Sequence, residues 1–304
     1  MFKKILLFSC LILFIPFIIV TLFIEDNEIT FNFSKNSVVR VYREEENIID
    51  RVPIEEYVVG VLAGEMPISF EIEALKAQAV AARSYVMRQI ERNINKEYDV
   101  VDTIMNQVYL DKETLVATWK ESYTDNINKV KQAVLSTKGE YLSYNGKVAE
   151  ALFFSTSPGV TENSEEIFTS KEDYLRSVDS HWDQLSPVFS TTTTYTKSEF
   201  CNSLEIKCNE NLEIKVLKQT STGRIKLIRI NAKELTGNYI CSKLGLRSTY
   251  FEIIQEDNKI IIKNKGYGHG VGMSQYGANG MAKEGYKYDE ILKHYYQGIE
   301  IKKF

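Results

Sequence analysis

The chain has 304 residues, a formal net charge of −4 and 44% hydrophobic residues. That length suffices for one large domain or two lobes with a well-formed core. The mildly acidic balance, without a basic stripe or aromatic-basic interleaving, excludes nucleic acid as the partner.

The first element is an apolar run. ILLFSCLILFIPFIIVTLFI (5–24) is twenty uncharged residues, the length needed to cross a hydrocarbon core of about 30 Å. Lys3 and Lys4 precede it, while Glu25, Asp26 and Glu28 follow. The positive-inside bias therefore predicts a cytoplasmic amino terminus and an exported remainder. A cleaved signal peptide is the alternative, but TLFIEDN lacks a small-x-small cleavage pattern, which favours an uncleaved anchor. Residues 1–26 are thus read as cytoplasmic tip and anchor, 27–37 as a stalk, and 38–304 as the working domain.

Ser37–Val41 and Ile48–Val52, around a polar stretch, predict a hairpin. PIEEYVVGVLAGEMP (53–67) then predicts a helix in which Val58, Val61, Leu62 and Glu65 share one face. A carboxylate at the end of an apolar stripe loses water, so its pKa is expected to rise, as suits a proton donor near neutral pH. The plainer alternative turns Glu65 outward to solvent at a helix end. Pro67 stops this helix.

A stronger helix is predicted from Glu71 to Arg92, with polar Gln78, Arg83, Ser84 and Tyr85 among the alanines of AQAVAARSYV. There Arg83 is either a ligand-holding fork or an ordinary ion-pair residue. YDVVDTIMNQVYLD (98–111) reads as extended or irregular, 113–137 as a helix, and the pattern from Glu140 onward as strands. Residues 187–250 read as a β-rich insertion with a helix near 237–245, so the fold class is α+β. The exported cysteines, Cys201, Cys208 and Cys241, form no CxxC pair and have no His nearby in sequence. A Cys201–Cys208 disulfide and unpaired cysteines both remain open.

Two later segments concentrate polar groups. FFSTSPGVTENSEEIF (153–168) runs a strand into a turn rich in hydroxyls, including Ser155 and Thr156, as sugar recognition requires. No GxSxG elbow supports a serine nucleophile. In KGYGHGVGMSQYGANGMAKEG (265–285) a strand meets four alternating glycines before a helix begins near Met273. Too little chain follows for a dinucleotide fold and no Gly-Lys-Ser/Thr is present. The glycines instead let backbone approach a bulky ligand, with His269, Ser274, Gln275 and Tyr276 offering hydrogen bonds. A structural histidine is the other reading of His269.

Taken together, AGEMP with AQAVAARSYV, FFSTSPGVTENSEEIF with DYLRSVDSHWD, and GYGHGVGMSQYGANGMA closely resemble the stage II sporulation protein D family, whose relatives include amidase enhancers. The resemblance implies a peptidoglycan lytic transglycosylase of spore engulfment, acting on glycan strands freed of stem peptides beside stage II sporulation proteins P and M. It implies no cofactor. Glu65 matches the family's catalytic glutamate, and Gln78, Arg83, Ser84, Tyr85, Ser155, Thr156, His269, Ser274, Gln275 and Tyr276 are expected to line the glycan cleft. The domain would lie outside the cytoplasm, between the mother-cell and forespore membranes. Some relatives carry a Cys/His zinc site near the segment equivalent to 98–111; YDVVDTIMNQVYLD has neither residue, so no metal is expected. The turn SPGV (157–160) also departs from the family. A glycan-binding activator of a cell-wall amidase, without catalysis of its own, is the alternative function.

Overall fold

The computed structural model describes residues 38–304, so the anchor and stalk expectations lie outside the described residues. Among the described residues no helix is long and apolar enough to cross a membrane. Strand β1 (Val38–Arg43) pairs antiparallel with β2 (Ile48–Pro53) and parallel with β3 (Val100–Val101). Asp99 fixes this crossover by accepting from the Arg40 backbone N–H at 2.8 Å and from its Nε at 3.1 Å. Helix α1 (Ile54–Glu65) starts directly from β2 and stops where Met66, in extended conformation, precedes Pro67.

Helix α2 (Ile72–Arg92) is the centre of the larger core. Ala74, Ala77, Ala79, Ala81 and Ala82 are all fully buried, and their small side chains let neighbours close in from several directions. Those neighbours are α1 and a group of later elements. They include α4 (Tyr123–Ser136), β4 (Glu140–Tyr144), α8 (Gln275–Lys283) and α9 (Tyr288–Tyr295). The expected single helix over 113–137 is two, α3 (Lys112–Trp119) and α4, joined by a 3₁₀ turn at Lys120–Ser122 where Lys120 takes φ 49°. Strand β4 also pairs with β5 (Lys147–Val148) and with the last strand, β14 (Glu300–Lys303). Next, β6 (Phe153–Phe154) leads to a short α5 (Ser164–Ile167).

The β-rich region is a lobe with its own core of Phe200, Leu204, Ile225, Ile228, Ile240, Ile260 and others. One sheet is β10 (Lys233–Thr236), β9 (Ile225–Ile230) and β8 (Ile214–Gln219). The other is β11 (Phe251–Glu256), β12 (Lys259–Lys265) and β7 (Ser190–Thr196), so the lobe continues past residue 250 to the strand that feeds the glycine-rich loop. Two helices cover it, α6 (Lys197–Ser203) and α7 (Gly237–Leu244). Cys201 and Cys208 are joined as a disulfide, and Cys241 is free, its thiol pushed up to about 12 by burial. The mixture of helices and small antiparallel sheets is α+β, as the sequence pattern predicts.

Candidate active site

A cleft of about 800 Å³ opens where α1 ends, and Glu65 lines it. The side chain points there because Glu65 is the last residue of α1 and the chain turns away at Pro67. That turn is fixed by Lys129, whose Nζ donates to the carbonyls of Ile68 and Phe70, both at 2.7 Å. Burial raises the Glu65 pKa, and the negative end of the helix dipole acts in the same direction. Two groups oppose the rise. The Val108 backbone N–H donates to Glu65 Oε1 at 2.7 Å. The Gln275 amide also favours the carboxylate, although it stands outside ordinary hydrogen-bond geometry and its Nε2 has no hydrogen-bond partner among the described residues. Desolvation wins, leaving a carboxyl suited to carrying a proton.

The Val108 contact depends on two glycines. On α1, Gly60 and Gly64 lie four residues apart, and a Cβ at Gly64 would sit 2.8 Å from the Val108 carbonyl oxygen. At Gly60 it would strike the Tyr109 ring and the Leu110 carbonyl. Their bare face lets the 108–110 segment lie directly on the helix.

Strand β6 and β13 (Met273–Ser274) pair in parallel, which brings Ser155 beside the start of α8. The Tyr276 N–H donates to the Ser155 carbonyl at 3.1 Å, and the Tyr276 ring meets Phe70 edge-on at 4.9 Å. The cleft thus gathers Glu65, Tyr85, Ser155, His269, Gln275 and Tyr276 from the expected residues. Tyr85, its pKa raised by burial, accepts a hydrogen bond from Asn106 Nδ2 at 2.9 Å.

Five expected cleft residues lie elsewhere. Arg83 is fully buried in a pair with Glu55, Nε to Oε1 at 3.0 Å and Nη2 to Oε2 at 2.6 Å. Ser84 donates to the Val80 carbonyl and accepts from the Leu142 N–H, tying α2 to β4. Gln78 is buried with neither amide atom partnered among the described residues, and nothing in the structure explains it. Thr156 shares a hydrogen bond with Ser186 at 2.8 Å. Ser274 caps α8 and donates to Asp183, a buried carboxylate that also accepts from Ser157 and Ser180. All five faced inward because α2 and the β6–β13 junction are covered on more sides than one apolar stripe suggests.

His269 lines the cleft without a free nitrogen. Its Nδ1 accepts from the Val271 N–H at 3.1 Å, and its Nε2 faces the Phe153 carbonyl at 3.1 Å, which assigns the proton to Nε2. Burial, with Arg224 beside it, pushes its pKa down to about 4. The ring is therefore neutral and offers the cleft an aromatic surface, packed against Phe154 and Phe168, rather than a hydrogen bond.

Asn106, Val108, Glu150 and Tyr267 also line the cleft and were not singled out from sequence. The glycine pair on α1 is the signal that would have flagged Val108. Glu150 is the cleft's second acid, and Arg92 grips it with both terminal nitrogens, Nη2 to Oε2 at 2.7 Å. The rim is apolar, with Ile104 89% and Met105 78% exposed.

A family model described as SpoIID, Stage II sporulation protein, matches residues 42–144. That span holds Glu65, Tyr85, Asn106 and Val108. Stage II sporulation protein D of Bacillus subtilis (strain 168) is 45% identical over 268 residues, covering 86% of this chain and 78% of its own length. The protein of the same name from Bacillus amyloliquefaciens is 44% identical over the same share of both chains. The amidase enhancer of Bacillus subtilis (strain 168) is 30% identical over 297 residues, covering 80% of this chain and 40% of its own length. With identity of this degree over 86% of its length, the chain belongs to the stage II sporulation protein D family.

Proposed function

We propose that this chain is a lytic transglycosylase that cuts the MurNAc–GlcNAc bonds of peptide-free peptidoglycan strands during sporulation, with Glu65 as its acid and base. The observation that carries the reading is a single carboxyl of raised pKa in a cleft whose other acid, Glu150, is held by Arg92. A hydrolase of the usual kind needs two working carboxyl groups. A lytic transglycosylase needs one. Protonated Glu65 gives its proton to the glycosidic oxygen as the C1–O bond breaks and C1 gains oxocarbenium character. The muramic acid C6 hydroxyl then attacks C1 and surrenders its proton to the Glu65 carboxylate, which closes a 1,6-anhydro ring and restores the acid. The Val108 N–H holds Oε1 throughout, leaving Oε2 as the oxygen that carries the proton.

The enzyme is proposed to be anchored by residues 5–24, amino terminus cytoplasmic, with its domain between the mother-cell and forespore membranes. There it would act beside stage II sporulation proteins P and M. The amidase enhancer relative favours a second reading, a glycan-binding activator without its own chemistry. Mass spectrometry of peptide-free strands incubated with the full chain and with Glu65→Gln separates them. Products ending in 1,6-anhydro-muramic acid from the wild type alone are expected. Reducing ends would require a second carboxylate, and binding without cleavage would leave the activator.

A further inference from the structure

Arg247 stands beside the cleft, in contact with its lining residue Tyr267, and among the described residues it has no carboxylate to hold. Its guanidinium lies over the Tyr267 ring, 5.6 Å from the centroid, and Tyr267 lines the cleft and is 48% exposed. Among the described residues Arg247 makes no ion pair. By contrast Arg40, Arg43, Arg83, Arg92, Arg176 and Arg224 all do.

This exposed arginine is held by buried structure. Its backbone N–H donates to Asn264 Oδ1 at 3.0 Å, and its carbonyl accepts from the Gly268 N–H at 3.0 Å. Asn264 is only 3% exposed and its Nδ2 is fixed by Ser248 and Tyr250. Tyr267 exchanges both backbone hydrogen bonds with Thr156, at 2.7 and 3.1 Å. The lobe therefore presents Arg247, and the main domain seats the ring beneath it, so the cation is placed before any ligand arrives.

A free, preplaced guanidinium calls for an anion, and its planar fork matches a carboxylate. Arg92 is already taken up by Glu150 of the lining, so the guanidinium beside the cleft left open to an incoming carboxylate is that of Arg247. Resting on the glycan reading above, the ligand has one such group per disaccharide: the lactyl carboxylate of muramic acid once its stem peptide is gone. While the peptide is attached, that carbon is a neutral amide. We propose that Arg247 binds the free lactyl carboxylate and so makes the cleft select peptide-free strands.

The test measures binding by the full chain in the Glu65→Gln background, so that it does not depend on cleavage. The probes are peptide-free glycan oligomers and the same oligomers with their lactyl carboxylates converted to methylamides. The unmodified oligomer should bind about 5- to 10-fold more tightly, a difference that shrinks in high salt. Arg247→Gln should lose that preference by weakening only the carboxylate form, with its thermal unfolding unchanged, and Arg247→Lys should keep part of it. Equal binding of both oligomers by the parent, no binding of either, or an undiminished preference in Arg247→Gln would overturn the assignment. Should the preference depend on Arg247 while the wild type yields no anhydro product, only the transglycosylase reading falls.

Discussion

Glu65 sits at the last position of α1, where partial burial and the helix terminus both act against its charge. Two results follow from the raised pKa. Cleavage should fall on the alkaline side as the acid loses its proton, with the limb displaced above the ordinary glutamate range; a pH–rate profile measures this, and a limb at the ordinary range would exclude Glu65 as the proton donor. The stability effect has a definite sign. A carboxyl whose folded pKa lies above its unfolded value contributes its full stability below the unfolded pKa and loses it as pH rises through the folded one. Glu65→Gln should therefore raise the melting temperature at pH 8 and leave it nearly unchanged at pH 4. Arg83 behaves differently, since both its carboxylate partner and its guanidinium are buried. Arg83→Met strands Glu55 and should cost about 3–5 kcal/mol in urea unfolding, with KM for glycan unchanged in whatever folds. A raised KM at unchanged stability would return Arg83 to the cleft.

At the scale of elements, α1 and its partner segment explain how much could be read in advance. The apolar stripe of Val58, Val61 and Leu62 is buried as its period predicts, and Pro67 ends the helix as its chemistry requires. The polar side of α2 was harder. Periodicity marks the face that must be buried, but a helix packed by elements far along the chain buries its opposite face too, and no local pattern reveals that α8, α9 and β4 will arrive there. Arg83 and Ser84 face those arrivals, whereas Tyr85 alone of that group reaches the cleft. The irregular 98–111 segment has no period of its own, so Asn106 and Val108 stayed hidden. Gly64 tests the contact between the two elements. In Gly64→Ala the new Cβ forces the Val108 segment outward, and the hydrogen bond that favours the Glu65 carboxylate weakens. The alkaline limb should move still higher while kcat falls about tenfold or more, because a displaced acid loses its alignment. An unmoved limb would mean the Val108 bond plays no part in tuning the acid.

At the scale of the whole described domain, a buried ion pair joins the two cores. Glu162 belongs to the main domain and Arg224 to the lobe, and both are almost wholly buried, with Arg224 Nε 3.4 Å from Glu162 Oε1. Thr220 Oγ1 also donates to Glu162, and Arg224 Nη1 donates to the Gly268 carbonyl, so the joint reaches the loop that carries His269. Burial lifts the Glu162 pKa to about 6 despite the arginine, and lowers that of Arg224, so desolvation outweighs the attraction in each. The two partners have different means of escape when one is removed. A carboxyl can take up a proton; a guanidinium remains charged. Glu162→Gln should thus cost about 3–5 kcal/mol, and Arg224→Met less, with the Arg224→Met cost growing from pH 6 to pH 8 as protonating Glu162 becomes harder. Combining Glu162→Gln with Arg224→Met removes two buried charges at once and should lose much less than the sum of the single changes. Urea unfolding of the four proteins at both pH values gives the coupling. Additive costs with no pH dependence would mean that the lobe is held by its apolar contacts and by backbone bonds such as that from the Gly268 N–H to the Arg247 carbonyl.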